Sequence, residues 1–147
     1  MSQENLEVVK GIYAAAEGLD KADLLAALPA MIRELCQEDI EWIEDPTRVD
    51  SQTYVGHDGV LKSFEHLIED FDQYGFELEE VVECGDKIFV VTRERARGLA
   101  SGIPVDAAQN QVFTFRDGKL ARFEEFKDRR SAEEHAGLRE PREEGES

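Results

Sequence analysis

Residues 109–127 read QNQVFTFRDGKLARFEEFK, and the fold is decided there. Two alternating runs, Val105–Arg116 and Lys119–Lys127, flank the dipeptide Asp117-Gly118. Asp-Gly is a strong two-residue hairpin signal, because type I′ geometry needs positive φ at both central positions. Successive strand side chains point to opposite faces. Gln109, Gln111, Phe113 and Phe115 therefore share one face, and Val112, Thr114 and Arg116 the other. The same period extends upstream to strands at Phe76–Cys84 and Lys87–Arg97, joined by Gly85-Asp86, with a longer Gly98–Pro104 connection. In Lys87–Arg97, Val90, Thr92, Glu94 and Ala96 oppose Arg93, Arg95 and Arg97. A row of arginines belongs toward water or a partner subunit, so an unbroken pleat turns Glu94 inward.

The N-terminal half changes period. Leu6, Val9, Tyr13 and Ala16 make the stripe of an amphipathic helix ending near Gly18. A second helix opens at Lys21–Asp23 with Leu25, Leu28, Ile32 and Leu35 on one side. Pro29 inside it removes a donor and crowds the preceding turn, so a kink or split is expected. Asp39–Asp45 reads as a short strand closed by Pro46, and Thr47–Val55 as loop. Gly56–Asp72 is the clearest helix, with Val60, Phe64, Leu67 and Phe71 in register. Ser131-x-x-Glu134 matches a capping box, which predicts a short last helix to Gly137. Helices followed by antiparallel strands is an α+β order. The predicted architecture is a cone: a curved, mostly antiparallel sheet wrapped over three N-terminal helices, as one domain over 1–138 with a charged tail at 139–147.

Composition narrows the partners. The 147 residues carry 34 acidic against 17 basic side chains, a formal charge of −17. Such a surface repels phosphate backbones and anionic headgroups, so neither nucleic acid nor membrane is an expected partner. Met1–Lys10 lacks the order of a signal peptide, and Leu24–Ile32, the longest uncharged stretch, is too short to span a bilayer. Cys36 and Cys84 stand alone, which fits reduced thiols and a cytoplasmic location.

The chain resembles the nuclear transport factor 2-like superfamily, in its SnoaL-like branch of polyketide cyclases and ketosteroid isomerase relatives. The carriers are the Tyr13 helix, Ile40–Pro46, Tyr54–Val60, Gly85-Asp86-Lys87 and Phe113–Lys119, in that order and spacing. The resemblance covers about Gln3 to Glu140. It implies a cystatin-like α+β cone that binds an apolar small molecule inside, without a cofactor, and dimerises through the outer sheet face. Val112, Thr114, Arg93, Arg95 and Glu124 would lie on that face. Ketosteroid isomerases place a base before a proline at the end of the first strand, which Glu44-Asp45-Pro46 matches. Their oxyanion tyrosine matches Tyr13. Their second donor, a protonated aspartate, falls on Gln111, which donates a weaker hydrogen bond. Steroid isomerisation itself is therefore not implied.

Two readings stay open for the chemistry. Asp45 is a general base at the lip of an apolar cavity, with Tyr13 and Gln111 as oxyanion donors, or it merely closes a strand in an Asp-Pro turn. Trp42, Ile43, Phe64, Val90, Glu94, Gln109, Phe113, Phe115 and Phe123 are the expected substrate-binding wall. Glu94 is either a ligand contact or exposed, whereas a slipped pleat is expected to expose Glu125. Relatives that hydrolyse epoxides hold an arginine between two aspartates inside the cone, and no inward arginine is expected here. His57 and His66 are nine residues apart and face opposite ways on a helix, so no metal site is expected. The two candidate functions are a proton-transfer isomerase, cyclase or dehydratase, and a non-catalytic dimeric ligand-binding or protein-interaction module.

Overall fold

At the decisive hairpin, φ is 53° at Asp117 and 80° at Gly118, both positive as the Asp-Gly turn requires. A computed structural model of the chain describes residues 2–69, 71–98 and 100–140. The elements are α1 (Ser2–Ala16), α2 (Lys21–Leu35), β1 (Cys36–Ile43), β2 (Thr53–Val55), α3 (Gly56–Glu69) and β3 (Phe71–Cys84). They continue with β4 (Lys87–Gly98), β5 (Pro104–Arg116), β6 (Lys119–Phe126) and α4 (Arg129–Ala136). One six-stranded sheet runs β2-β1-β6-β5-β4-β3. Its pairs are antiparallel except β1 with β6, which is parallel. The architecture is the expected α+β cone, with the curved, unclosed sheet packed over α1, α2 and α3.

The main core lies between helices and concave face. Val9, Leu24, Leu28, Ile32, Val60 and Ile68 pack against Ile40, Ile88, Val90, Phe113, Phe115 and Leu120. A second core occupies the convex face, where Ala132 and Ala136 of α4 cover Phe89, Val91 and Val112. This corrects the expectation for Val112 and Glu124. They do face outward, but α4 buries both, to 0% and 9% exposure.

Other local expectations shift for identifiable reasons. α2 runs unbroken through Pro29, which faces water, while Leu24, Leu28 and Ile32 anchor the opposite side. The helix expected over Gly56–Asp72 ends at Glu69, and Phe71 already opens β3. Thr53–Val55, read as loop, pairs with β1. α4 is capped by Asp128, whose carboxylate accepts from the Ser131 N–H at 2.7 Å, so the Ser131-x-x-Glu134 box lies inside the helix. Gly137 ends it with φ 86°. Asp70, Leu99 and tail residues 141–147, all covered by the sequence reading, lie outside the described residues.

Candidate functional site

Alternation along the end of β1 builds one wall of the cone. Ile40 and Trp42 face the helices, so Glu44, two residues on, faces them too, whereas Ile43 and Asp45 turn away. Trp42 stacks on Phe123 with ring centroids 3.8 Å apart and 15° between planes. Phe64 of α3 tilts against Trp42 at 5.3 Å, and Phe113 meets Phe123 edge-on at 5.2 Å. Leu28, Met31, Ile32 and Leu35 of α2 close the far side. The cavity has a volume of about 120 Å³.

One side of this apolar space is polar. In the β5–β6 register Gln111 stands directly opposite Glu125. The Tyr13 hydroxyl on α1 donates to Gln111 Oε1 at 2.9 Å, so the amide NH₂ remains to donate elsewhere. Glu44, Ser63, Thr92, Glu94 and Gln109 complete the polar lining. The buried Ser63 hydroxyl donates to Glu44 Oε2 at 3.2 Å, and the Gln52 N–H to Glu44 Oε1 at 3.0 Å. Those bonds close the loop that carries Arg48 back over the cavity. Its Nη2 lies 3.4 Å from Glu125 Oε1 and 3.9 Å from Glu44 Oε1.

Burial sets the electrostatics. The Glu125 side chain is 16% exposed, and desolvation pushes its pKa up to about 7. Arg48 and the Asp45 backbone N–H pull it down, while Glu44 and Glu94 push it up. Burial raises the Tyr13 hydroxyl well above the usual tyrosine range, and the neighbouring Glu125 charge adds to this. Burial likewise pushes the Cys36 thiol up to about 11, so no thiolate nucleophile faces the cavity at neutral pH.

The structure brings together Tyr13, Gln111, Trp42, Phe64, Glu94, Gln109, Phe113 and Phe123 on one cavity. It does not bring in four others that the sequence reading placed there. Asp45 Oδ1 instead accepts from the Thr47 N–H at 2.9 Å and the Thr47 hydroxyl at 2.7 Å, the turn geometry of the alternative reading. Ile43 follows the same parity away from the cavity. Val90 and Phe115 lie in the packed core, 0% and 4% exposed, and do not line the cavity. Sequence reasoning missed Glu44, Arg48 and Ser63, set Thr92 on the inward face without counting it in the wall, and expected Glu125 to be exposed. Glu44 was recoverable from its parity with Trp42, and Ser63 from its position in the Val60-Ser63-Phe64-Leu67 stripe. Arg48 enters from a loop and has no periodic signal. The expectation of no inward arginine is therefore corrected.

The histidines stay out of the cavity: His57 Nε2 sits 3.0 Å from the Cys36 carbonyl, and His66 Nδ1 sits 3.1 Å from the Tyr54 hydroxyl. Among the described residues no three His, Cys, Asp or Glu side chains converge as a metal site, and no helix is long and apolar enough to cross a membrane.

The family model of the SnoaL-like domain matches residues 13–123, most of the chain and nearly all of the cavity wall. The chain belongs to the SnoaL-like family. Solved structures share its fold. One is assigned to the SnoaL-like polyketide cyclases, from Jannaschia sp. CCS1, at 20% identity and TM-score 0.70, covering 93% of this chain and 94% of that one. A nuclear transport factor 2-like protein from Burkholderia thailandensis E264 shows 25% identity and TM-score 0.70, over 90% and 95%. TerC, co-crystallised with polyporic acid, shows 21% identity and TM-score 0.68, over 91% and 98%. No curated protein matches the chain in sequence. The SnoaL-like fold hosts small-molecule binding and cyclase or isomerase-type domains, and the cavity of this SnoaL-like chain is its candidate site.

Proposed function

We propose that this SnoaL-like chain is a cofactor-free proton-transfer enzyme of the isomerase, cyclase or dehydratase type, acting on a small, largely apolar carbonyl compound. The observation that carries the reading is Glu125: a carboxylate raised to about 7, facing an aromatic cavity directly across a strand pair from Gln111. A base poised near neutral pH takes a proton from the carbon beside a carbonyl. The negative charge that develops on the carbonyl oxygen meets the Gln111 NH₂, while Tyr13 fixes the amide's orientation. The role first considered for Asp45 passes to Glu125, and Asp45 supplies a turn and a backbone N–H. A relative that holds polyporic acid supports a cavity meant for small molecules. The volume of about 120 Å³ is near that of engineered cavities of about 150 Å³ that admit benzene, which favours one-ring substrates over polycyclic ones.

The test is α-proton exchange of one-ring ketones in D₂O, followed by NMR. Exchange should rise with pH through about 7 and level off above it. Glu125→Gln should lower it by about 10²-fold or more, and Asp45→Asn should leave it within a few-fold. Equal exchange in Glu125→Gln and the wild type defeats the assignment. Binding with no exchange leaves the non-catalytic binding module.

Arg48, set between Glu44 and Glu125, favours a second reading. Two carboxylates flanking an arginine suit water addition to an epoxide, one activating water and the other protonating the oxygen. Protein-dependent hydrolysis of styrene oxide that Arg48→Ala abolishes would select it.

A further inference from the structure

The proton transfer above engages Glu125, Gln111 and Tyr13, and it leaves two polar side chains of the cavity wall without a task. Thr92 on β4 and Gln109 on β5 are direct partners across the strand pair, and both line the cavity. Thr92 is 2% exposed. Among the described residues no group hydrogen-bonds its hydroxyl or the Gln109 side-chain amide. Leaving a buried hydroxyl unpaired costs free energy, which is why buried polar groups as a rule have partners.

The sheet fixes where this pair stands relative to the reacting end. Gln109 and Gln111 are two residues apart on β5, so both point into the cone, about 6.8 Å apart at about 3.4 Å per residue. The wall therefore carries two polar rows. In one, Gln111 faces Glu125 of β6; in the next, Gln109 faces Thr92 of β4. Directly opposed side chains have Cβ atoms about 4.5–5.5 Å apart, so each row closes on one small group.

Resting on the reading of this cavity as the binding site, with Gln111 as donor to a carbonyl, we infer that its ligand is a one-ring ketone with a hydroxyl on the opposite side of the ring, and that Thr92 and Gln109 select it. The carbonyl oxygen meets the Gln111 NH₂, and the hydroxyl lies between Thr92 and Gln109. With bonds of about 1.2–1.5 Å, oxygens on opposite sides of a six-membered ring are about 5 Å apart and reach both rows. Oxygens on neighbouring ring carbons are only about 3 Å apart and reach one. The chemistry of the pair favours a hydroxyl over a second carbonyl. A carbonyl oxygen only accepts, whereas the Gln109 amide and the Thr92 hydroxyl offer donors and acceptors together, and a hydroxyl uses both. The volume of about 120 Å³ suits a ring with one small substituent at each end.

Titration calorimetry of the full chain with 4-hydroxycyclohexanone and 4-methylcyclohexanone tests this, because the two share a shape and differ by the hydroxyl. The 4-hydroxy compound should bind about 10-fold more tightly, since a methyl leaves both polar groups unpaired. 2-Hydroxycyclohexanone, whose oxygens are neighbours, should bind more weakly than its 4-isomer. Thr92→Val exchanges the hydroxyl for a methyl and should narrow the ratio of 4-hydroxy to 4-methyl affinity several-fold. Should that variant not fold, Gln109→Leu should narrow the same ratio. In α-proton exchange the gain from the hydroxyl should fall in KM rather than kcat, because it is held away from the carbon that loses its proton. Equal binding of the 4-hydroxy and 4-methyl compounds, or of the two hydroxy isomers, overturns the inference, even if exchange proceeds through Glu125. So does a preference that both variants retain. A preference lost in the variants upholds it even without exchange, and the catalytic reading then falls instead. Failure of all three compounds to bind overturns it together with the cavity reading.

Discussion

A carboxylate raised to about 7 by burial weakens the protein that carries it. Unfolded, Glu125 titrates near the ordinary glutamate value of about 4.3. The folded state therefore binds more protons between about pH 4.3 and 7, and stability falls as pH rises through that window. The shift corresponds to about 4 kcal/mol lost above pH 7 and none below pH 4. Glu125→Gln should be more stable than the wild type by about that amount at pH 8 and indistinguishable near pH 4, as read by urea unfolding at both. A stability gain that persists at pH 4 would assign the effect to packing instead. Tyr13→Phe leaves Gln111 Oε1 buried without its donor and should cost about 1–3 kcal/mol, measured the same way. Much of this site was legible one residue at a time: Trp42, Phe64, Phe113 and Phe123 declare themselves by period and size. The error at Asp45 came from letting a motif override the pleat. Trp42 and Asp45 differ by an odd number of positions, so a regular strand cannot send both into one cavity. At Glu125 the feared slip exists but falls earlier. Phe115 pairs with Leu120 and Thr114 with Arg122, leaving Ala121 as the extra residue. From Phe123 to Glu125 the step is regular, and the carboxylate faces in.

Elements were legible where their own residues determine them and obscure where a tertiary partner does. The β3–β4–β5–β6 meander follows from alternation and two tight turns. β2 does not, because three residues form a strand only when β1 offers them an edge. The parallel β1–β6 pairing joins distant segments and leaves no local mark. α2 outlasts Pro29 because the apolar stripe of Leu24, Leu28 and Ile32 is held by the core, while the proline faces solvent, where water can satisfy the carbonyl it orphans. The intrinsic penalty is still present, so Pro29→Ala should stabilise the chain by about 1–3 kcal/mol, seen as a higher Tm with unchanged circular dichroism. α4 is held by different forces. Its alanines sit on Phe89, Val91 and Val112. Arg129 pairs with Glu80 at 2.5 Å and lies 5.2 Å from the Phe89 ring centre. Ending the chain after Lys127 should uncover that apolar patch, lower stability by about 3–6 kcal/mol and promote dye binding. Ending it after Glu140 should leave the Tm unchanged, and a fall in Tm would overturn the boundary expected near residue 138.

Two copies of this chain are expected to pair through the convex face, and α4 narrows where. With Val112 and Glu124 beneath α4, the open part is the β3–β4–β5 surface, where Arg93 meets Glu79 at 3.0 Å and Asp106 at 2.7 Å, and Arg95 meets Glu77. Alternating charges on a curved sheet suit an isologous contact, since each row can exchange partners with its symmetry mate. Against this stands the repulsion between two bodies of charge −17 each. Screening decides between them. At about 0.1 M salt the Debye length is about 10 Å, so the net charges are hidden from one another while contacts within the interface are not; at about 0.01 M it reaches about 30 Å, the width of a domain. Light scattering at micromolar concentration should therefore give twice the 16.6 kDa chain mass at about 0.15 M salt and move toward the single-chain mass at about 0.01 M. Arg93→Glu with Arg95→Glu should dissociate the pair at either salt concentration while the fold persists, because those side chains leave the concave cavity untouched. A single-chain mass throughout would mean that the arginine row neutralises its own sheet and nothing more.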